Sequence, residues 1–324
     1  MNKLFDKIDI KLLRELDINS RQPISQIAKK IRVSKNVVNY RINNLLDKKI
    51  ISKFCTVENI PLLGYSKCRF YIKFNSIHET LENNFVAFLE KQKNIWWAAR
   101  TDNEFDFSFV LLYKNMFEIK KLNSNITYAF GADILSKEIS LISDFLHLRN
   151  NFIYEKLLID NSDIWASQST STIDIDNIDR KIIQELKDDS RKNIIDLSKK
   201  IKLTTKSTLR RLRKLEKEKV IIAYRYTFNR ILFEFKHYRV MLDLCNVDSN
   251  DESKITEYLR NCRSVILIEK TIGKWYIEFE LIVKDEVEVF SFMQGFRKIF
   301  HNNIKTSEMI VVHKPYPINT IEYD

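Results

Sequence analysis

The sequence predicts an α+β chain built as two copies of one design: a winged helix-turn-helix domain followed by a ferredoxin-like βαββαβ domain. Three observations lead there. The stretch SRQPISQIAKKIRVSKNVVNYRI from Ser20 returns 170 residues later as SRKNIIDLSKKIKLTTKSTLRRL from Ser190. Within each copy the apolar pattern switches from a helical period to alternation. Finally, positive charge is concentrated in the helical part of each copy.

Sliding the chain by 170 positions aligns its halves without a gap. Identities include Asp6/Asp176, Asp9/Asp179, Ser20/Ser190, Arg21/Arg191, Lys29/Lys199, Arg41/Arg211 and Leu45/Leu215, and at the same offset Asn59/Asn229, Arg69/Arg239, Thr101/Thr271 and Glu138/Glu308. The duplication covers roughly 6–145 and 176–315. The expected organisation is a winged helix-turn-helix at 1–62, a ferredoxin-like domain at 63–150, a linker at 151–175, and a second pair of domains at 176–233 and 234–324. The linker reading rests on NSDIWASQSTSTID, which is rich in Ser and Thr and poor in aliphatics.

In the first copy Ile8, Leu12, Leu13 and Leu16 form one apolar stripe, with Asp6 as N-cap and Asp9 in the first turn. A short helix follows from Ile24 to Ile31. After a turn at RVS, Ser34 caps a third helix running to about Lys48, with Val38, Ile42 and Leu45 facing inward. Thr204, Leu212 and Leu215 repeat the cap and the core positions. Two helices across a tight turn, the last one basic in the second copy, give helix-turn-helix geometry. IISKFCTVE and VIIAYRYTF alternate like strands and are expected to form wings. The rest of each half reads strand, helix, strand, strand, helix, strand, a split β-α-β unit. In the first copy the strands are SKCRFYIKF, NIWWAAR, EFDFSFVLLY and ILSKEISLI, with helices near Glu79–Lys91 and Met116–Phe130.

The chain has 324 residues and a net charge of +11, with a pI near 9.3, which favours an anionic partner such as nucleic acid or a membrane surface. Residues 6–65 carry +6 and residues 176–235 carry +8, so everything else nets −3. Counterion release on DNA would use charge placed in this way. No run of about 18 apolar residues suggests a membrane span, and the first residues do not read as a signal peptide. A cytoplasmic chain is expected. Four scattered cysteines without a C-x-x-C pair, and five histidines without paired spacing, predict neither a metal site nor disulfides. Four glycines leave no phosphate loop, and no cofactor is expected.

Helix positions outside the core stripe are the expected DNA contacts. They are Lys35, Asn36, Asn39, Tyr40 and Asn43 in the first copy, and Thr205, Lys206, Ser207, Arg210 and Arg213 in the second. Asn reads adenine and Arg reads guanine through paired hydrogen bonds. Arg41 and Arg211 join the set as grips on phosphate, or else on a nearby carboxylate. Because the copies differ at most of these positions, they are expected to read different bases in an asymmetric double-stranded site. A solvated polar face is the plain alternative.

The segment DNIDRKIIQELKDDSRKNIIDLSKKIKLTTKSTLRRLRKLEKEKVI resembles the N-terminal signature of the Lrp/AsnC family of transcriptional regulators: an Asp-x-x-Asp opening, a short helix, a turn and a basic Arg helix ending in a Val-Ile wing. The resemblance covers nearly the whole chain outside the linker, in two copies. It implies sequence-specific regulation of transcription, a second domain that dimerises, and binding of a small effector such as an amino acid. For that effector the family carries a Gly and, three residues later, an Asp. The first copy has Asn103 in place of the Gly and keeps Asp106; the second keeps Gly273 but has Tyr276 for the Asp. A purely structural turn is the alternative there. Paired within the chain, the two βαββαβ modules would make an intramolecular pseudo-dimer; exchanged between chains, they would give a larger homo-oligomer. A siroheme-decarboxylase-like enzyme and an architectural DNA coater are the alternative functions, and no catalytic residue is expected.

Overall fold

The computed structural model describes residues 5–154, 163–167, 172–187, 189–316, 318 and 321. The first copy runs α1 (Lys7–Ile18), α2 (Ile24–Ile31), α3 (Lys35–Asp47), β1 (Ile51–Glu58), β2 (Ser66–Phe74), α4 (Glu79–Glu90), β3 (Ile95–Asn103), β4 (Phe107–Tyr113), α5 (Met116–Phe130) and β5 (Ile134–His147). After a short strand β6 (Ile164–Ser167), the second copy repeats the order. It runs α6 (Asn177–Lys187), α7 (Ile194–Ile201), α8 (Thr205–Lys217), β7 (Ile221–Phe228), β8 (Lys236–Leu244), α9 (Ser249–Arg260), β9 (Val265–Ile272), β10 (Ile277–Val283), α10 (Glu286–Phe300) and β11 (Ile304–Tyr316). The segment expected as a linker holds a 3₁₀ turn at Asn151–Ile153 and the strand β6 beside β5; the rest of it lies largely outside the described residues.

The chain divides by kind rather than by copy. One compact unit, Met1–Leu63, Ile153–Ile164 and Ser171–Glu234, gathers both helix-turn-helix segments. The other, Gly64–Phe152, Trp165–Thr170 and Phe235–Asp324, gathers both ferredoxin-like modules.

In the first unit each three-helix cluster buries its apolar stripe: Leu12, Leu13, Leu16, Ile27, Ile31, Val38, Ile42 and Leu45 in one copy, and Ile182, Ile183, Leu186, Leu197, Ile201, Leu212 and Leu215 in the other. β1 and β7 are the strands expected as wings. They pair antiparallel with each other, Phe54 opposite Tyr226 and Thr56 opposite Tyr224, as an isolated two-stranded ribbon. Each strand's ladder is completed by the other copy, so the ribbon ties the two clusters together. Alternation identifies a strand but not its partner.

In the second unit the pairings run β2–β4–β3–β11–β8–β10–β9–β5 and return to β2, closing a ring of eight strands. Two long strands make the closure. β5 pairs with β2 along Ile134–Ile142 and with β9 along Leu141–His147. β11 pairs with β8 along Ile304–Val311 and with β3 along Ile310–Tyr316. One end of each strand therefore belongs to its own module and the other end to the sister module. The cores follow this exchange. Tyr316 of β11 packs with Phe70, Phe85, Phe107 and Phe109 of the first module, and Leu146 of β5 packs with Val240, Leu259 and Phe279 of the second. No described helix is long and apolar enough to cross a membrane.

Candidate nucleic-acid interface

Local chemistry sets the two candidate reading helices. Asp6 accepts the N–H groups of Ile8 and Asp9 at 2.8 and 2.9 Å, and Asp9 accepts the N–H of Asp6 in return, a reciprocal cap on α1. Ser34 Oγ accepts from Val37 N at 3.2 Å to start α3, and Thr204 Oγ1 accepts from Ser207 N at 3.2 Å to start α8. The preceding turns pass through Arg32 (φ 60°) and Lys202 (φ 58°), two L-residues in the left-handed region that glycine would occupy without strain. Both side chains are exposed. They are basic residues at the head of each reading helix that a search of the helix face alone omits.

Lys35, Asn36, Asn39, Tyr40 and Asn43 are all exposed, as are Thr205, Lys206, Arg210 and Arg213. Tyr40 is the extreme case, an aromatic 72% exposed on a helix that buries Val38, Ile42 and Leu45. Ser207 is half-buried, like Val37 at the same place in the first copy.

Arg41 and Arg211 depart from the expected set. Arg41 Nη1 lies 2.7 Å from a carboxylate oxygen of Asp9 and 2.7 Å from one of Asp6. Arg211 Nη1 lies 2.7 Å from Asp176 and 2.9 Å from Asp179. Each arginine clamps its helix onto the capped start of the first helix, with its charge already balanced, and the carboxylate alternative is the one the geometry favours. Hydrogen bonding to Asp9 first, and then to Asp6, pushes the Arg41 guanidinium up. The Asp179 N–H first, and then Arg211, outweigh the cost of burial and hold the Asp176 carboxyl below its ordinary range.

The repeated Ser-Arg pair has a role the sequence reading did not assign. Ser20 Oγ and Ser190 Oγ meet at 3.0 Å. Arg21 donates to the carbonyls of Ser190 and of Lys192, the latter at 3.0 Å, while Arg191 donates to the carbonyls of Ser20 and Gln22. Ser20 N donates to Tyr224 O and Ser190 N to Phe54 O, both at 3.0 Å. These reciprocal bonds mark a pseudo-twofold relation between the copies and yoke the two reading heads together. A cleft of about 260 Å³ lies beside them, lined by Arg21, Gln26, Ile194, Arg213, Glu216 and Tyr224.

The two effector-type turns sit at β3–β4 and β9–β10. Asn103 has φ 78° and Gly273 φ 157°. A Cβ on Gly273 would meet Ile139 O at 2.9 Å, so backbone crowding also requires glycine there. The buried Asp106 carboxylate is engaged by its own fold, accepting from Phe74 N at 2.8 Å and Lys73 Nζ at 3.2 Å. Tyr276 donates to Glu252 at 2.7 Å. Among the described residues no group of three or more His, Cys, Asp or Glu is placed to hold a metal.

Family models match at both heads: an AsnC-type helix-turn-helix domain at residues 5–46 and a winged helix-turn-helix DNA-binding domain at 175–222. An uncharacterized HTH-type transcriptional regulator of Pyrococcus furiosus is 36% identical over 123 residues, which is 38% of this chain and 82% of that protein. The chain belongs to the Lrp/AsnC family. Its relatives include an HTH-type transcriptional regulator, Ptr1, of Methanocaldococcus jannaschii, 27% identical over 39% of this chain and 83% of the relative. A relative of this kind thus corresponds to one half of this Lrp/AsnC-family chain. Across the whole length, the fold is similar to that of the siroheme decarboxylase NirDL, with a TM-score of 0.64 over 96% of this chain and 92% of that one, at 10% identity. This Lrp/AsnC-family protein is a DNA-binding transcriptional regulator.

Proposed function

We propose that a single chain does the work of a dimeric regulator and reads an asymmetric operator with two different heads. The observation that carries this is the yoke of Ser20, Arg21, Ser190 and Arg191, which joins α3 and α8 in one unit although their exposed side chains differ. Lys35, Asn36, Asn39, Tyr40 and Asn43 present amides and an aromatic ring. Thr205, Lys206, Arg210 and Arg213 present cations and a hydroxyl. Amide-bearing helices suit adenine edges, and arginine-bearing helices suit guanine edges. Arg32 and Lys202 supply phosphate contacts at the head of each helix, and Ser207 supports the helix start. Selection from a random duplex pool tests the reading: it is expected to return two unlike half-sites, the one read by α8 richer in guanine. A palindromic consensus would overturn it.

Modulation by an amino acid is the finer part of this reading. The Asn103–Asp106 turn is the better candidate, because the first copy keeps the carboxylate, and calorimetric titration with amino acids tests it. The whole-length likeness to a siroheme decarboxylase supports one competing reading. A stoichiometric Soret band on adding an iron tetrapyrrole to the purified protein would favour that reading over regulation.

A further inference from the structure

The two ferredoxin-like modules meet across a buried ionic cluster that repeats in position but not in charge. On β2 and β8 alternate residues face away from the helices, and these include Arg69 and its repeat mate Arg239, 3% and 0% exposed. Arg239 donates to Glu280 at 2.8 Å, to Glu278 at 2.6 and 2.9 Å and to Glu269, all within its own module, and to Tyr71 Oη of the sister module at 2.8 Å. Arg69 reaches across to Glu269 at 3.1 Å. Tyr71 donates across to Glu278. Burial pushes the Glu269 carboxyl up, but Arg239 and Arg69 outweigh it and hold it below its ordinary range.

The repeat offset exposes the asymmetry. Where the second module has Glu269, Glu278 and Glu280, the first has Ala99, Ser108 and Val110. In strand register Glu269 stands directly opposite Glu278, and Ala99 directly opposite Ser108. Two carboxylates facing each other on a ladder repel unless cations lie between them. At these positions and at Lys67 and His237, also buried mates, the first module contributes two cations. The second contributes Arg239 and three carboxylates, with His237 Nε2 3.0 Å from Glu280. The mixed pair sets an excess of cations against an excess of carboxylates. A pair of first modules would bury four cations without one of these carboxylates, and a pair of second modules would bury six carboxylates with two arginines and two histidines, in an interior where unpaired charge is costly.

We propose that this cluster is a pairing code: each ferredoxin-like module accepts a module of the other type and rejects its own kind. A chain so built pairs its two halves with each other and does not assemble through like modules, as a homodimeric regulator would. The inference rests on the second unit alone, and a chain that failed to bind DNA would leave it standing.

Three full-length variants test it. E269A/E278S/E280V gives the chain two carboxylate-free modules. A99E/S108E/V110E gives it two carboxylate-rich ones. These two stand in for the like-with-like pairs. The six-fold combination transplants the carboxylates to the first module, each substitution being the residue its repeat mate already carries. Hydrogen exchange is read at the junctions β3–β11 and β5–β9. Each triple variant is expected to exchange there at least about 100-fold faster than the natural chain, the scale for stranding a buried charge. The transplant is expected to return to within about tenfold of the natural chain. The proposal is overturned if E269A/E278S/E280V keeps natural protection. It is overturned equally if the transplant exchanges as fast as the triples, whether paired or unfolded.

Discussion

Arg210, Arg211 and Arg213 stand within one turn of the same helix, and their neighbours separate their roles. Arg211 is bound to Asp176 and Asp179, whereas Arg210 and Arg213 are exposed. Arg211→Ala is therefore expected to lower thermal stability by about 0.5–1 kcal/mol, the range for a partly exposed ion pair. Arg210→Ala and Arg213→Ala are expected to leave stability within about 0.5 kcal/mol while weakening operator binding by roughly 1–3 kcal/mol each. Thermal melts and gel shifts on the same preparations separate the two effects. Equal stability loss in all three variants would contradict the assignment. The capping aspartates add a pH signature. Burial raises the Asp6 carboxyl, but the Asp9 N–H, Arg41 and the Ile8 N–H together outweigh it and bring it below its ordinary range, and Asp176 is lowered likewise. A group whose folded pKa is depressed stabilises above its unfolded value and loses that contribution as pH falls through the folded one. Hydrogen exchange in α1 and α6 is thus expected to be faster in the Asp6→Asn/Asp176→Asn variant than in the natural chain above about pH 4, and the difference is expected to shrink as pH falls through the lowered folded values. The sequence placed these arginines on the basic helix and left a nearby carboxylate open for Arg211, but could not show that it is Asp176 and Asp179, 35 and 32 residues away along the chain.

At the scale of elements, much was legible because local rules govern it. The capped starts at Asp6, Ser34 and Thr204, the helical stripes, and the strand order of each ferredoxin-like module follow from period and cap chemistry. What was not legible is pairing. β1 and β7 read as wing strands, but alternation says nothing of a partner 170 residues away, and their ladder joins the two copies. Glu278 and Glu280, spaced as in a half-solvated strand, are buried because the face they occupy meets the sister module. The Ser-Arg repeat was visible as an identity, yet its reciprocal bonds could not be. Arg21→Ala with Arg191→Ala is expected to remove about 1.5–3 kcal/mol per arginine from the yoke, since each donates a charged hydrogen bond to buried carbonyls. Exchange of the Ser20 and Ser190 amides is the direct readout. Unchanged protection there would show that the β1–β7 ribbon alone holds the heads together.

For the molecule as a whole, the two kinds of pairing point the same way. The helix-turn-helix unit and the ring of eight strands each need one segment from either copy, and one chain supplies both. Covalent linkage keeps the second copy at high effective concentration near the first, which favours pairing within the chain over exchange between chains. Because positive charge sits on the reading unit, operator affinity should fall steeply with salt, with log K linear in log salt concentration. The central claim is that one chain is the complete reader, and the mass of the protein–DNA complex tests it most directly. Native mass spectrometry on the selected operator is expected to give one 38.7 kDa chain per duplex, on a site with unlike halves. Two chains on a symmetric duplex, with no complex of one chain at limiting protein, would contradict it.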